Sequence, residues 1–141
     1  MQSDPIRVLI VEDHQIFADA LRLLLDRTEG IEVVGIASDG GEAIDLACMA
    51  DAQVVLMDIG LPKLDGLEAT RRLLAIKPAA RVIALTGQTE GEAKSAATAA
   101  GAVDFLTKGG IHDHVRDAIF RAMQAADPHL GVHEPSPGLD A

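Results

Sequence analysis

Tryptophan and tyrosine are absent from this chain, and phenylalanine occurs only three times in 141 residues. The core must therefore be aliphatic. Cysteine is nearly absent too. Cys48 stands alone and cannot close an internal disulfide, which fits a reducing compartment and gives a cytoplasmic expectation. No apolar run approaches the roughly 20 residues that a membrane span needs, so no membrane association is expected. The start, "MQSDPIRVLI", has no basic region followed by a long apolar stretch, so it does not read as a secretory signal. Cations are scarce: 12 Lys and Arg face 22 Asp and Glu, for a net charge of -10. So acidic a surface repels nucleic acid and anionic membrane, which excludes direct nucleic-acid binding by this chain.

What is present is one domain's worth of patterned sequence. Apolar residues make up 48% and charged residues 24%, the balance of a soluble globular domain with a real core. "IRVLIV" (6–11), "IEVVGIA" (31–37), "AQVVLM" (52–57), "RVIAL" (81–85) and "AVDFLT" (102–107) are short apolar, β-branched runs that read as buried strands. Between them lie helical patterns. Phe17, Ala20, Leu21, Leu24 and Leu25 fall on one helix face. Ala43, Ile44 and Ala47 mark a second helix, and 67–76 a third that stops before Pro78. The alanine-rich segment 90–100 is a fourth, capped by Gly101. Ile111, Val115, Ala118, Ile119 and Ala122 mark a fifth, running to about 126. Five strands alternating with five helices predict an α/β fold with a five-stranded parallel sheet covered on both faces. The domain is expected over 1–126. "DPHLGVHEPSPGLDA" (127–141) loses all periodicity and reads as a disordered tail or the start of a linker.

In such a sheet, ligands bind where the strands end. Glu12 and Asp13 follow the first strand, Asp58 the third, Thr86 and Gly87 the fourth, and Lys108 the fifth. Three carboxylates, a hydroxyl and an amine thus converge from four strands. Crowded carboxylates repel unless a cation joins them, and a hard ion such as Mg2+ suits all-oxygen ligands. With its charge kept, Asp58 is a nucleophile suited to a phosphoryl group, Lys108 a point charge for phosphoryl oxygens, and Thr86 a hydrogen-bond donor to them.

"VLIVEDH" (8–14), "VVLMDIGLPKLDG" (54–66), "VIALTG" (82–87) and "GAVDFLTKG" (101–109) together resemble the receiver domain of two-component response regulators, over about 6–126. "EDHQIF", "GIASDGGEAI" and "DIGLPKLDGLEATRRL" are similar to the subclass with a LuxR-type helix-turn-helix output. The resemblance implies a flavodoxin-like strand order of 2-1-3-4-5. It implies that Asp58 accepts phosphate from a sensor histidine kinase or phosphotransfer protein. Mg2+, with Mn2+ as a substitute, would be held by Glu12, Asp13, Asp58 and the backbone carbonyl of Gly60. Thr86, Lys108 and Phe105 would form the phosphoryl-binding and switch set, and Gly60 and Gln88 would tune phosphate lifetime. The switched face of the fourth helix, fifth strand and fifth helix would control homodimerisation, and transcription through an output domain outside this sequence. Such a protein is not an enzyme beyond its own phosphorylation and slow autodephosphorylation. The family often has Pro soon after the Lys, whereas this chain reads "KGG".

Plainer readings exist for each residue. Asp58 is also a strand-end cap, Glu12 and Asp13 also cap a helix N-terminus, Thr86 is also a structural hydroxyl, Lys108 a surface lysine and Phe105 a core residue. Asp65, Pro62 and Gly66 read as turn and helix-start devices, and His14 as part of the first helical turn. His112 and His114 do not share a face; His129 and His133 lie in the tail. A stand-alone receiver acting by protein–protein contact is one alternative. Another is a metal-dependent phosphatase with an aspartyl phosphate, but the second acid of its "DxD" pattern is missing, since Ile59 and Gly60 follow Asp58. A nucleotide-binding module would need a Gly-rich loop where "EDHQ" stands.

Overall fold

The structure is a computed structural model that describes residues 4–61, 64–87 and 91–124. Five strands, β1 (Ile6–Val11), β2 (Ile31–Ala37), β3 (Val54–Asp58), β4 (Arg81–Thr86) and β5 (Asp104–Thr107), alternate with five helices. The helices are α1 (Gln15–Asp26), α2 (Gly40–Met49), α3 (Gly66–Ile76), α4 (Gly91–Ala100) and α5 (Val115–Gln124). All strand pairs are parallel, in the order β2-β1-β3-β4-β5. This is the flavodoxin-like arrangement expected from the sequence. The chain moves outward from β1 to β2, then returns to β3 on the other side. The carboxyl ends of β1 and β3 therefore border the switch-point crevice.

Strand alternation divides the core. On one face Val8, Ile10, Val54, Leu56, Ile83 and Leu85 pack with Leu21 and Leu25 of α1 and Ile119 of α5. On the other, Leu9, Val11, Val55, Met57 and Val82 pack with Ala43 and Ala47 of α2 and Leu73 of α3. A strand buried on both faces has no polar alternation, which is why these runs are continuously apolar. Each fully buried aliphatic side chain contributes about 1.5–3 kcal/mol. The absent aromatics are thus replaced by many small contributions.

The helix starts are specified locally. The side chains of Asp39 and Asp65 each accept a hydrogen bond at 2.9 Å, from the backbone N–H of Glu42 and Glu68. Gly101 ends α4 at φ +113°, as a glycine cap requires. Gly66 is needed for a different reason, because a Cβ there would run into the backbone carbonyl of Asp58. Only glycine lets α3 begin directly against the end of β3.

Some boundaries differ from expectation. Ile111 lies in a separate 3-10 turn (Ile111–Asp113), and α5 begins at Val115. Gly110, at φ +77°, precedes the 3-10 turn, and a non-helical His114 separates that turn from α5, yet Ile111 remains fully buried. In α1 the fully buried alanine is Ala18, whereas Ala20 is half-buried. Strand β5 starts at Asp104 rather than Ala102; the Ala102 N–H instead bonds Ala97 O at 3.0 Å. The expectations for Pro62, Gln88 and the segment 127–141 lie outside the described residues.

Candidate functional site

Among the described residues, the expected acids, hydroxyl and amine lie at the carboxyl edge of the sheet. Glu12 and Asp13 follow β1, Asp58 ends β3, Thr86 ends β4 and Lys108 follows β5. Their burial is unusual for such polar types: Glu12 is 1% exposed, Asp58 4% and Thr86 6%. Carboxylates are seldom buried without partners, so the partners are informative.

Lys108 is the shared cation. Its Nζ donates to Asp58 Oδ2 at 3.2 Å and lies 2.9 Å from Glu12 Oε1. The approach to Glu12 is close but poorly aligned: Oε1 is buried and receives no well-directed hydrogen bond among the described residues. The contact is therefore an ion pair rather than a good hydrogen bond. Burial is the largest single influence on Lys108 and acts to lower its pKa, but Glu12 and Asp58 together outweigh it and hold the pKa above the ordinary lysine value. The backbone fixes the base of this side chain, since the Lys108 N–H donates to Thr86 O at 2.7 Å. Asp58 is further held by the Gly60 N–H, which donates to its Oδ1 at 2.9 Å. Gly60 is exposed in the turn after β3, and a Cβ there would meet Asp58 Oδ1 at an ordinary 3.6 Å. Nothing would crowd a Cβ on Gly87, so that side of the crevice is open.

Two residues read from the sequence only as helix residues join the site. His14, the residue before α1, donates its backbone N–H to Glu12 Oε2 at 3.1 Å, and its Nδ1 lies 2.7 Å from the same oxygen. That hydrogen bond, with the charges of Asp13 and Glu12, raises the His14 pKa; Lys108 opposes the rise. Glu12 and Asp13 do not cap α1 in the usual way, for its N-cap residue is His14 and makes no side-chain cap bond. The second addition is Phe17 of α1, whose ring centroid lies 5.2 Å from Lys108 Nζ. His14 was signalled by its place beside the acid pair, whereas Phe17 reads from the sequence as core alone. One ligand atom from each of Glu12, Asp13, His14 and Asp58 falls within 4.8 Å of the others. Phe105 is not brought to this cluster: it is half-buried on β5, paired in register with Ala84, and packs against neither core cluster. No cis peptide occurs among the described residues, so the "KGG" turn is trans throughout.

A sequence profile described as the response regulator receiver domain matches residues 8–120. The response regulator UvrY of Escherichia coli is 40% identical over 115 residues, covering 81% of this chain and 52% of that protein. GacA of Pseudomonas protegens is 39% identical over 112 residues, covering 79% and 53%. The chain thus spans about half the length of these relatives. A LuxR-family two-component response regulator from an Aurantimonas species superposes with a TM-score of 0.82 at 31% identity, covering 91% of this chain and 94% of that one. Among the described residues, no helix is long and apolar enough to cross a membrane. A parallel sheet in this order, an acidic crevice at its switch point and these matches agree: the chain belongs to the response regulator receiver domain family.

Proposed function

We propose that this domain accepts a phosphoryl group on the Asp58 carboxylate from a phosphohistidine of a sensor kinase or phosphotransfer protein, as a switch rather than as a turnover enzyme. The observation that carries this is the buried excess of negative charge. Two almost inaccessible carboxylates, Glu12 and Asp58, share one ammonium, and the carboxylate of Asp13 lies beside them. Such a site is unfavourable for stability and suited to binding cations and transferring charge.

Mg2+ fits this donor set, and Mn2+ fits as a substitute. The ligands are hard oxygens of Glu12, Asp13 and Asp58, with the Gly60 carbonyl adjacent, and Glu12 Oε1 is a buried oxygen in need of a partner. His14 holds Glu12 Oε2 and so orients a ligand rather than serving as one. When bound, the ion neutralises phosphoryl oxygens and helps align the donor.

The chain's own groups do the rest. An Asp58 oxygen attacks phosphorus, the new O–P bond forms, and the P–N bond to the donor imidazole breaks, so that the bond electrons leave with the imidazole. Gly60 N–H holds the other Asp58 oxygen in place. Lys108, already between Glu12 and Asp58, neutralises the phosphoryl oxygens as they arrive. The Thr86 hydroxyl, at the end of the neighbouring strand, donates to the same oxygens. Ile59 and Gly60 supply no second acid for hydrolysis, so the acyl phosphate persists long enough to signal. Gly60 and Gln88 tune that lifetime. The signal passes through Thr86 and Phe105 to the face of α4, β5 and α5. Of the described α4 side chains only Ala97 and Ala100 are buried, which leaves this helix lightly held and able to shift. The changed face alters homodimerisation, and the relatives' extra length supports a transcriptional output domain following a receiver over 1–126 in a cytoplasmic regulator.

The test is intact-protein mass after incubation with acetyl phosphate and Mg2+. A gain of one phosphoryl group, prevented by EDTA and by Asp58→Asn, is expected. No gain in a folded protein that binds Mg2+ and is also inert to phosphohistidine donors contradicts the proposal.

A further inference from the structure

Lys108 follows a short edge strand and precedes Gly109 and Gly110, the latter at φ +77°. A Cβ on either glycine would meet nothing within 4 Å, so the two glycines add no side-chain packing between Lys108 and the buried Ile111. The ammonium must be positioned at its tip. Its three tip partners come from three elements: Glu12 after β1, Asp58 at the end of β3 and Phe17 on α1. They are not equivalent. Glu12 and Asp58 are the carboxylates that a divalent cation and a phosphoryl group would claim. As those ligands bind, the charge that holds Lys108 is shared away.

We infer that Phe17 is a positioning residue for phosphoryl transfer, its ring face holding the Lys108 ammonium in place while Glu12 and Asp58 change partners. This rests on the function proposed above. The ring is neutral, so it neither competes for a metal ion nor repels phosphate. Its electron-rich face attracts a cation through its quadrupole and leaves ammonium N–H groups free to donate to phosphoryl oxygens. The geometry is favourable: the ring centroid lies 5.2 Å from Nζ, Phe17 is half-buried against the core, and the Lys108 side chain is only 19% exposed. A fixed core supports the ring, since Phe17 sits one turn before the fully buried Leu21 and packs against the cluster that contains it.

The test compares Phe17→Leu, Phe17→Tyr and a protein carrying the pentafluorinated analogue of Phe17, which keeps the ring's shape but reverses its electrostatic face. Two readouts are taken: the initial rate of phosphorylation by acetyl phosphate at saturating Mg2+, and the NMR shift of the Lys108 ε-methylene, which a ring face moves upfield. Phe17→Leu and the fluorinated protein should react about two- to fivefold more slowly, the worth of a modest cation–π contact, with Mg2+ affinity unchanged. Phe17→Tyr should restore the rate. Phe17→Leu should lose the upfield shift, and Phe17→Tyr should keep it. A fluorinated protein that reacts like wild type, or a Phe17→Leu variant that loses only thermal stability, overturns the inference and leaves Phe17 as core. The fluorinated protein decides the matter even if Phe17→Leu fails to fold. Wild-type protein that takes up no phosphate from acetyl phosphate or from a phosphohistidine donor overturns the functional reading itself, and the positioning role of Phe17 with it.

Discussion

The two ends of the sheet both carry charged clusters, and they are built on opposite terms. At the carboxyl ends, Glu12 and Asp58 face Lys108 with Asp13 beside them, and the carboxylates of Glu12 and Asp58 are almost inaccessible. At the amino ends, Asp51 faces Arg7 and Lys77, and its side chain is 70% exposed. Asp51 is also fully matched: Lys77 Nζ donates to Oδ1 at 2.9 Å, Arg7 to Oδ2 at 3.1 Å, and Arg7 Nε to the Asp51 carbonyl at 2.8 Å. It ties β1 to the ends of α2 and α3, from a left-handed backbone position at φ 53°. One cluster is a solvated clamp with every oxygen satisfied. The other is buried, holds an excess of one charge and leaves an oxygen poorly satisfied. The difference teaches that charge alone does not mark a functional site. Buried, mismatched charge does, because folding gains nothing from it.

The largest expected effect breaks the functional end outright. Asp58→Asn should abolish phosphoryl uptake from acetyl phosphate, read by intact mass, while Asp51→Asn should leave uptake unchanged. Next is the support of that end. Gly66→Ala should push α3 away from the Asp58 carbonyl and cost about 1–3 kcal/mol, as overpacking does, read as a lower midpoint in urea. A smaller effect sharpens the contrast by its sign. In metal-free buffer, Asp58→Asn should raise thermal stability by on the order of 1 kcal/mol, as relief of a strained functional site does. Mg2+ should raise the melting temperature of wild type but much less that of Asp13→Asn. The smallest effect lies at the other end. Asp51→Asn should lower the melting temperature slightly at neutral pH. Lys77, first by its hydrogen bond and then by its charge, and Arg7 after it hold the Asp51 pKa below its ordinary 3.8. The stabilisation is therefore present above pH 3.8 and is lost as pH falls through the lower folded value, so the gap between variant and wild type should close there.

Much of this was legible in the sequence because the residues concerned are read locally. A buried strand writes itself as a continuous apolar run, so β1, β3 and β4 stand out, and the residue just past each run is at the sheet edge by necessity. That is how Glu12, Asp13, Asp58 and Thr86 can be placed together without coordinates. Asp65, which reads as a turn and helix start, is likewise legible, and it caps α3. What the sequence hid depends on tertiary approach. Phe17 obeys the helix period as a core residue would, and nothing along the chain says that Lys108, far away in sequence, ends over its ring. The Asp51 clamp is equally silent, since its three members lie on separate elements. The break between Ile111 and Val115 was hidden for another reason: a 3-10 turn followed by a helix keeps the apolar spacing of one continuous helix.

The central claim is that the buried excess of negative charge exists to make Asp58 a phosphoryl acceptor. Its most direct test is borohydride trapping of the protein after reaction with acetyl phosphate and Mg2+, followed by peptide mapping. An acyl phosphate on Asp58 is reduced to homoserine, and the account predicts homoserine at that position alone. An unmodified Asp58 beside a modified Glu12 or Asp13, or no trapped residue in protein that has gained phosphate, would contradict it.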